Sequence, residues 1–116
     1  MEKVVQFGNK EVTLKADATL LLRYKAEFGK DLFAEQAKLQ EAIIKDENGN
    51  AVGTDWNKFD STIILNMAWA MAKAHDKTIP NILDWLDGFE YFSPITIYTQ
   101  IAELLSANMK VDRKND

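Results

Sequence analysis

The sequence predicts a mainly α, α+β fold: an N-terminal β-hairpin followed by about five helices packed around a central apolar helix. Three observations carry that prediction. Residues 1–15 alternate apolar and polar on either side of Gly8-Asn9. Downstream, apolar residues recur at helical spacing in segments bounded by capping residues, Gly and Pro. The run from Ile63 to Ala72 is apolar nearly all the way round a helix, interrupted at Asn66. A single helical domain is expected over residues 1–110, with the hairpin at 1–15 and a polar C-terminal tail at 111–116.

Gly8-Asn9 suits a type II′ turn, whose first central position needs the positive φ that Gly accepts. This turn pairs Phe7 with Lys10, Val5 with Val12 and Lys3 with Leu14. Val5, Phe7, Val12 and Leu14 then share one apolar face, with Gln6, Glu11 and Thr13 on the other. A lone hairpin is marginal in water, so the apolar face must lie on the helices.

Asp17 is the expected N-cap of a first helix carrying Leu20, Leu21, Tyr24 and Phe28, closed by a left-handed Gly29. Asp31 caps a second, with Leu32, Gln36, Leu39 and Ile43 on one stripe and Phe33, Ala37 and Ile44 on its neighbour. Asp46 to Gly53 reads as a polar, mobile loop. A third helix is expected from about Asp55 to His75, with Trp56, Phe59, Ile63 and Met67 in line. Thr78 caps the next segment, with Pro80 in its first turn and Gly88 closing it after Ile82, Leu83, Trp85 and Leu86. Ser93-Pro94 opens a last helix striped by Ile97, Ile101, Leu104 and Leu105, flanked by Tyr98 and Met109. The tail after it is polar and expected to fray.

Composition narrows the chemistry. Six Phe, three Trp and three Tyr in 116 residues make a globular composition. A net charge of -4 is the wrong sign for a phosphate-binding surface, so no nucleic acid partner is expected. Without cysteine there is no disulfide, thiol nucleophile or thiolate metal site. His75 stands alone and precedes Asp76 at a helix end, where a cationic ring is favoured; no catalytic triad or histidine metal site can be built. Asp46 to Asn50 resembles a calcium loop only superficially, since Asn57 stands where the bidentate Glu belongs. Asp84, Asp87 and Glu90 recur every third residue but have no basic companion, and read as a solvated face. No phosphate loop appears, and with no long apolar run at MEKVVQFGNK or elsewhere neither a signal peptide nor a membrane span is expected. The sequence is therefore read as a non-enzyme without cofactor or metal, in the cytosol.

The constellation left over is aromatic. Trp85, Phe89, Tyr91 and Phe92 crowd one helix-to-helix corner, and two roles are open to them. They can plug the end of the core, or some can remain exposed as a partner-binding patch.

At this point the sequence resembles the tail assembly chaperones of long-tailed (siphovirus-type) bacteriophages and prophages. The resemblance rests on the hairpin VVQFGNKEVTLK, a helix ending FGKDLF, a polar spacer, a long helix containing ILNMAWAMAKAHD, then TIPNILDWLDGFEYF and a last amphipathic helix. It implies a protein–protein interaction module of the host cytoplasm, absent from the mature virion. Such a module binds the tape measure protein, keeps it soluble and helps tail tube protein assemble around it. In many members a ribosomal frameshift near the end of the reading frame adds a second domain, and Lys114-Asn115 is a pair that an A-rich slippery site would encode. The rival expectations are a structural head-tail connector or tail terminator-type subunit, and a small DNA-binding regulator. For the last, the cations from Arg23 to Lys30 are offset by Glu27. Self-association is left open by the residues.

Overall fold

The computed structural model describes residues 1–108. Strands β1 (Glu2–Phe7) and β2 (Lys10–Lys15) open the chain, followed by helices α1 (Leu20–Phe28) and α2 (Leu32–Glu41). A second hairpin, β3 (Ile43–Lys45) and β4 (Ala51–Thr54), precedes α3 (Ser61–His75), α4 (Ile82–Leu86) and α5 (Pro94–Asn108). The fold is the expected α+β arrangement, with one strand pair more than the sequence suggested.

The first hairpin has the expected register, with Val5 opposite Val12 and Lys3 opposite Leu14. Gly8 takes φ +57° while Asn9 keeps a negative φ, as a II′ turn requires. Val5, Phe7 and Leu14 are buried, and Val12 is packed at the core's edge. The hairpin lies across the helices, β2 on α3 and β1 on α5. An ion pair from Lys3 to Glu103 and a hydrogen bond between Glu2 Oε2 and His75 Nδ1 (3.0 Å) fasten its outer strand.

Helix α3 is the centre of the molecule, as its nearly uniform apolarity demands. Nine of its residues are buried, among them Ile64, Met67 and Met71. Each large side chain sequestered this way contributes about 1.5–3 kcal/mol. Ala68, Ala70, Ala72 and Ala74 are also buried, and their small size lets neighbouring elements approach the helix closely. An aromatic chain joins α3 to α1: Phe28 meets Trp69 edge-on at 5.7 Å and Tyr24 at 4.8 Å. The Trp69 indole donates to the Pro80 carbonyl (2.9 Å), which pins the chain leaving α3.

Several boundaries differ from expectation, each for a local reason. Asp17 is not the cap of α1. Its carboxylate accepts from the Thr19 N–H and hydroxyl, forming a turn ahead of a helix whose N-cap is Thr19. Gly29 at φ +71° and Asp31, which accepts from the Ala34 N–H, do cap as expected. The second helix stops at Glu41, and Ile43 and Ile44, expected on its stripe, enter β3. Asp46 to Gly53 is therefore a hairpin turn and its return strand. Asp46 spends its carboxylate on the Asn48 and Asn50 N–H groups, and Gly49 sits at φ +85°. Helix α3 starts at Ser61, capped by Asp60, so Trp56 and Phe59 lie before it. They pair edge to face at 5.1 Å. Helix α4 is capped by Asn81, while Thr78 donates to Asp76 instead. Ser93 accepts from the Thr96 N–H at 3.4 Å and opens α5 as expected. Met109 and the tail lie outside the described residues.

Among the described residues one charged side chain is buried. Glu35, 2% exposed, is held by Lys38 (3.4 Å) and Lys30 (3.9 Å), while its Oε1 has no hydrogen-bond partner among the described residues. The Tyr24 hydroxyl holds its proton more tightly than usual, first because Tyr24 is itself buried and second because of the Glu35 charge.

The exposed carboxylates give the fold an acid limit. Glu2 is held below its ordinary 4.5 chiefly by the His75 hydrogen bond. Asp17 and Asp76 lie below 3.8 chiefly through Thr19 and Thr78, and Asp46 through the Asn50 backbone. Lowered folded values mean stability that is present above the ordinary values and lost as pH falls through the folded ones. Urea midpoints should therefore hold from pH 7 to about 5 and then fall with acidification. Asp17→Asn should flatten that acid limb; an unchanged slope contradicts the assignment.

Candidate binding groove

A groove of about 420 Å³ opens where β2, the end of α3 and α4 meet. Its apolar lining includes Val12 from the hairpin, Ala72 from α3, Ile79 from the connector, and Trp85 and Phe89 from the α4 corner. The local sequence explains each position. The Trp69–Pro80 bond turns the chain back at the end of α3, and Asn81 then starts a helix only five residues long. So short a helix cannot bury a whole face; it presents Trp85, and the turn after it presents Phe89, to Phe7 of the first hairpin. Phe7 is fully buried, with ring centroids 5.6 Å from Trp85 and 5.5 Å from Phe89, and those two meet edge-on at 5.1 Å. They are half-buried, one side in the core and one toward the groove.

The aromatic candidates thus separate. Trp85 and Phe89 line the groove, and Phe92 is half-buried against the core. Tyr91 is 63% exposed, outside the groove lining. Its backbone nevertheless has a tight role, because the Tyr91 carbonyl lies over Gly8 where any Cβ would overlap it. The corner both plugs the core and shows an open side.

The groove's border is charged. Glu11, Asp76 and Asp84 stand around it with Lys10 and His75. Lys10 places its ammonium 5.4 Å from the Phe89 ring centroid, a cation–π contact. Asp84 accepts from the Asn81 amide (3.0 Å) and Asp76 from Thr78 (2.6 Å), which fixes both carboxylates in place. Asp87 and Glu90 continue outward as exposed residues. Among the described residues β2 pairs only with β1, and Lys10 to Thr13 of β2 line the groove.

Two features escaped the sequence reading. A smaller hollow of about 230 Å³ between α1 and α3 gathers Arg23, Lys73 and Lys77 beside Trp69. Residues fifty positions apart give no linear signal of such a gathering. The cations have local work there: Lys77 donates to the Ala74 carbonyl at 2.6 Å, and Lys73 lies 5.3 Å from the Trp69 ring centroid. They offset the negative end of α3. The second hairpin is the other feature. Val52 is 62% exposed and Ile44 48% exposed on this hairpin, whose β3 packs along α2, and Trp56 just after it is 62% exposed. The Ile43-Ile44-Lys45 and Ala51 to Thr54 runs flanking an Asn-Gly turn were the available signal.

Among the described residues no cluster of three or more His, Asp or Glu is placed to hold a metal, and no helix is long and apolar enough to cross a membrane. No family model, curated protein or solved structure matches this chain.

Proposed function

We propose that this chain is a phage tail assembly chaperone that binds helices of the tape measure protein and holds them until tail tube protein assembles around them. The observation that carries the reading is the open groove, whose apolar floor is framed by rigid elements and bordered by charge. A helix lays its i, i+3, i+4 and i+7 side chains into such a groove. A long amphipathic client awaiting its tube needs this kind of reversible cover. The order of elements, hairpin first and a buried helix at the centre, agrees with the resemblance drawn from the sequence. The reading places the work in the host cytoplasm, before the virion is complete, and assigns no catalysis.

Co-expression with the tape measure protein of the same phage should move that protein into the soluble fraction and yield a co-purifying complex. A tape measure protein that stays insoluble, with nothing retained on the tagged chain, removes the proposal.

A second reading, a ring-forming connector or terminator-type subunit, draws on the second hairpin. Its edges are unpaired among the described residues and its exposed Ile44 and Val52 suit contact between copies. Solution mass separates the two, since a discrete ring of the purified chain favours the second.

A further inference from the structure

We propose that the occupant of the groove is a cationic amphipathic helix, one whose apolar stripe is flanked by Lys or Arg. This rests on the helix-binding reading above and adds the chemistry of the client. The argument is charge complementarity around an apolar floor. Glu11, Asp76 and Asp84 stand at the border, and among the described residues none of them is in an ion pair. Of the two cations beside them, Lys10 lies over the Phe89 ring and His75 is bonded to Glu2, and neither is in an ion pair with these carboxylates. Hydrogen bonds from Thr78 keep Asp76 ionised well into acid. The hollow beside Trp69 shares no lining residue with this groove.

A helix seated on Val12, Ile79, Trp85 and Phe89 sets its flanking positions against these carboxylates. Flanking glutamates would meet like charge while water is being excluded, which disfavours an acidic helix. Rim charges of this kind act through salt-sensitive attraction and discrimination between partners more than through raw affinity. The preference should therefore be strongest at low ionic strength.

The test uses the full chain and two synthetic helical peptides that share one leucine stripe, flanked by lysine in the first and by glutamate in the second. Calorimetric titration should show the lysine peptide binding about tenfold more tightly at low salt, the gap narrowing as salt is raised. Glu11→Gln should reduce that preference about two- to threefold and Glu11→Lys more, with thermal unfolding followed in parallel. Glu47→Gln, in the distant β3–β4 turn, should change nothing. The proposal is overturned by no binding of either peptide, by equal binding of the two, by a preference untouched at Glu11, or by a bound lysine peptide that is extended along the edge of β2. A chain that dimerises through the groove without peptide also overturns it. If the lysine peptide binds in this way but the tape measure protein is not rescued, the groove assignment stands and the phage reading falls. If rescue occurs and Glu11→Lys leaves it unchanged, the reverse holds.

Discussion

Gly8→Ala should destabilise the chain by about 2–4 kcal/mol, an unusually large effect for one methyl group at a turn. Two causes combine. Gly8 sits at φ +57°, in a region that L-residues enter at a cost of about 1–3 kcal/mol. The added Cβ would also overlap the Tyr91 carbonyl oxygen, a backbone atom that cannot swing aside as a long side chain could. Relief requires the turn and the 88–92 corner to separate, loosening Phe89 from Phe7. Gly49→Ala is the control. Gly49 lies at φ +85° with open space around it, so its cost should be the conformational one alone, about 1 kcal/mol. Urea denaturation of the two variants isolates the overlap. Equal losses would mean that the Tyr91 backbone does not rest on Gly8.

Phe7→Ala is the second large effect, with an expected loss of about 3–5 kcal/mol. Phe7 is fully buried and is the side chain on which both Trp85 and Phe89 lean. Removing it leaves a cavity beneath the groove floor, and α4 is too short to close over it by itself. A matching comparison is Tyr91→Ala, whose side chain is 63% exposed and whose stability change should stay within about 0.5 kcal/mol. Thermal melts followed by circular dichroism read both. A small loss for Phe7→Ala would show that the corner is held by other contacts.

These two residues also mark the division between local and tertiary information. The turn at Gly8 was legible because the φ requirement acts within four residues. The Tyr91 carbonyl above it was not, because the two segments lie about eighty positions apart and backbone approach leaves no compositional trace. Trp85 and Phe89 were identified as an aromatic corner, but their partner Phe7 belonged, in the linear reading, to a different element. The split of the four aromatics into groove lining, core edge and free surface depends on which side of a short helix meets the hairpin.

The missed hairpin β3–β4 has a different origin. Ile43 and Ile44 continue the apolar period of α2, so the periodicity argument favours more helix. Two effects outweigh it. Asp46 binds the Asn48 and Asn50 N–H groups and closes a tight turn. The β-branched Ile43-Ile44 and the Ala51 to Thr54 run can then pair across it. Helix α3 starts late for a similar reason, since Asp55 and Asp60 each begin a local turn and Asp60 provides the effective cap.

The sequence alone determined the class of fold, the register of the first hairpin, the central position of α3 and the caps at Gly29, Asp31 and Ser93. All of these follow from short-range stereochemistry or from an apolar pattern so continuous that only full burial satisfies it. The tertiary structure decided where a groove opens, which charges border it, and which aromatics face it. Those are relations between segments distant along the chain, fixed only when β2, α3 and the α4 corner come together.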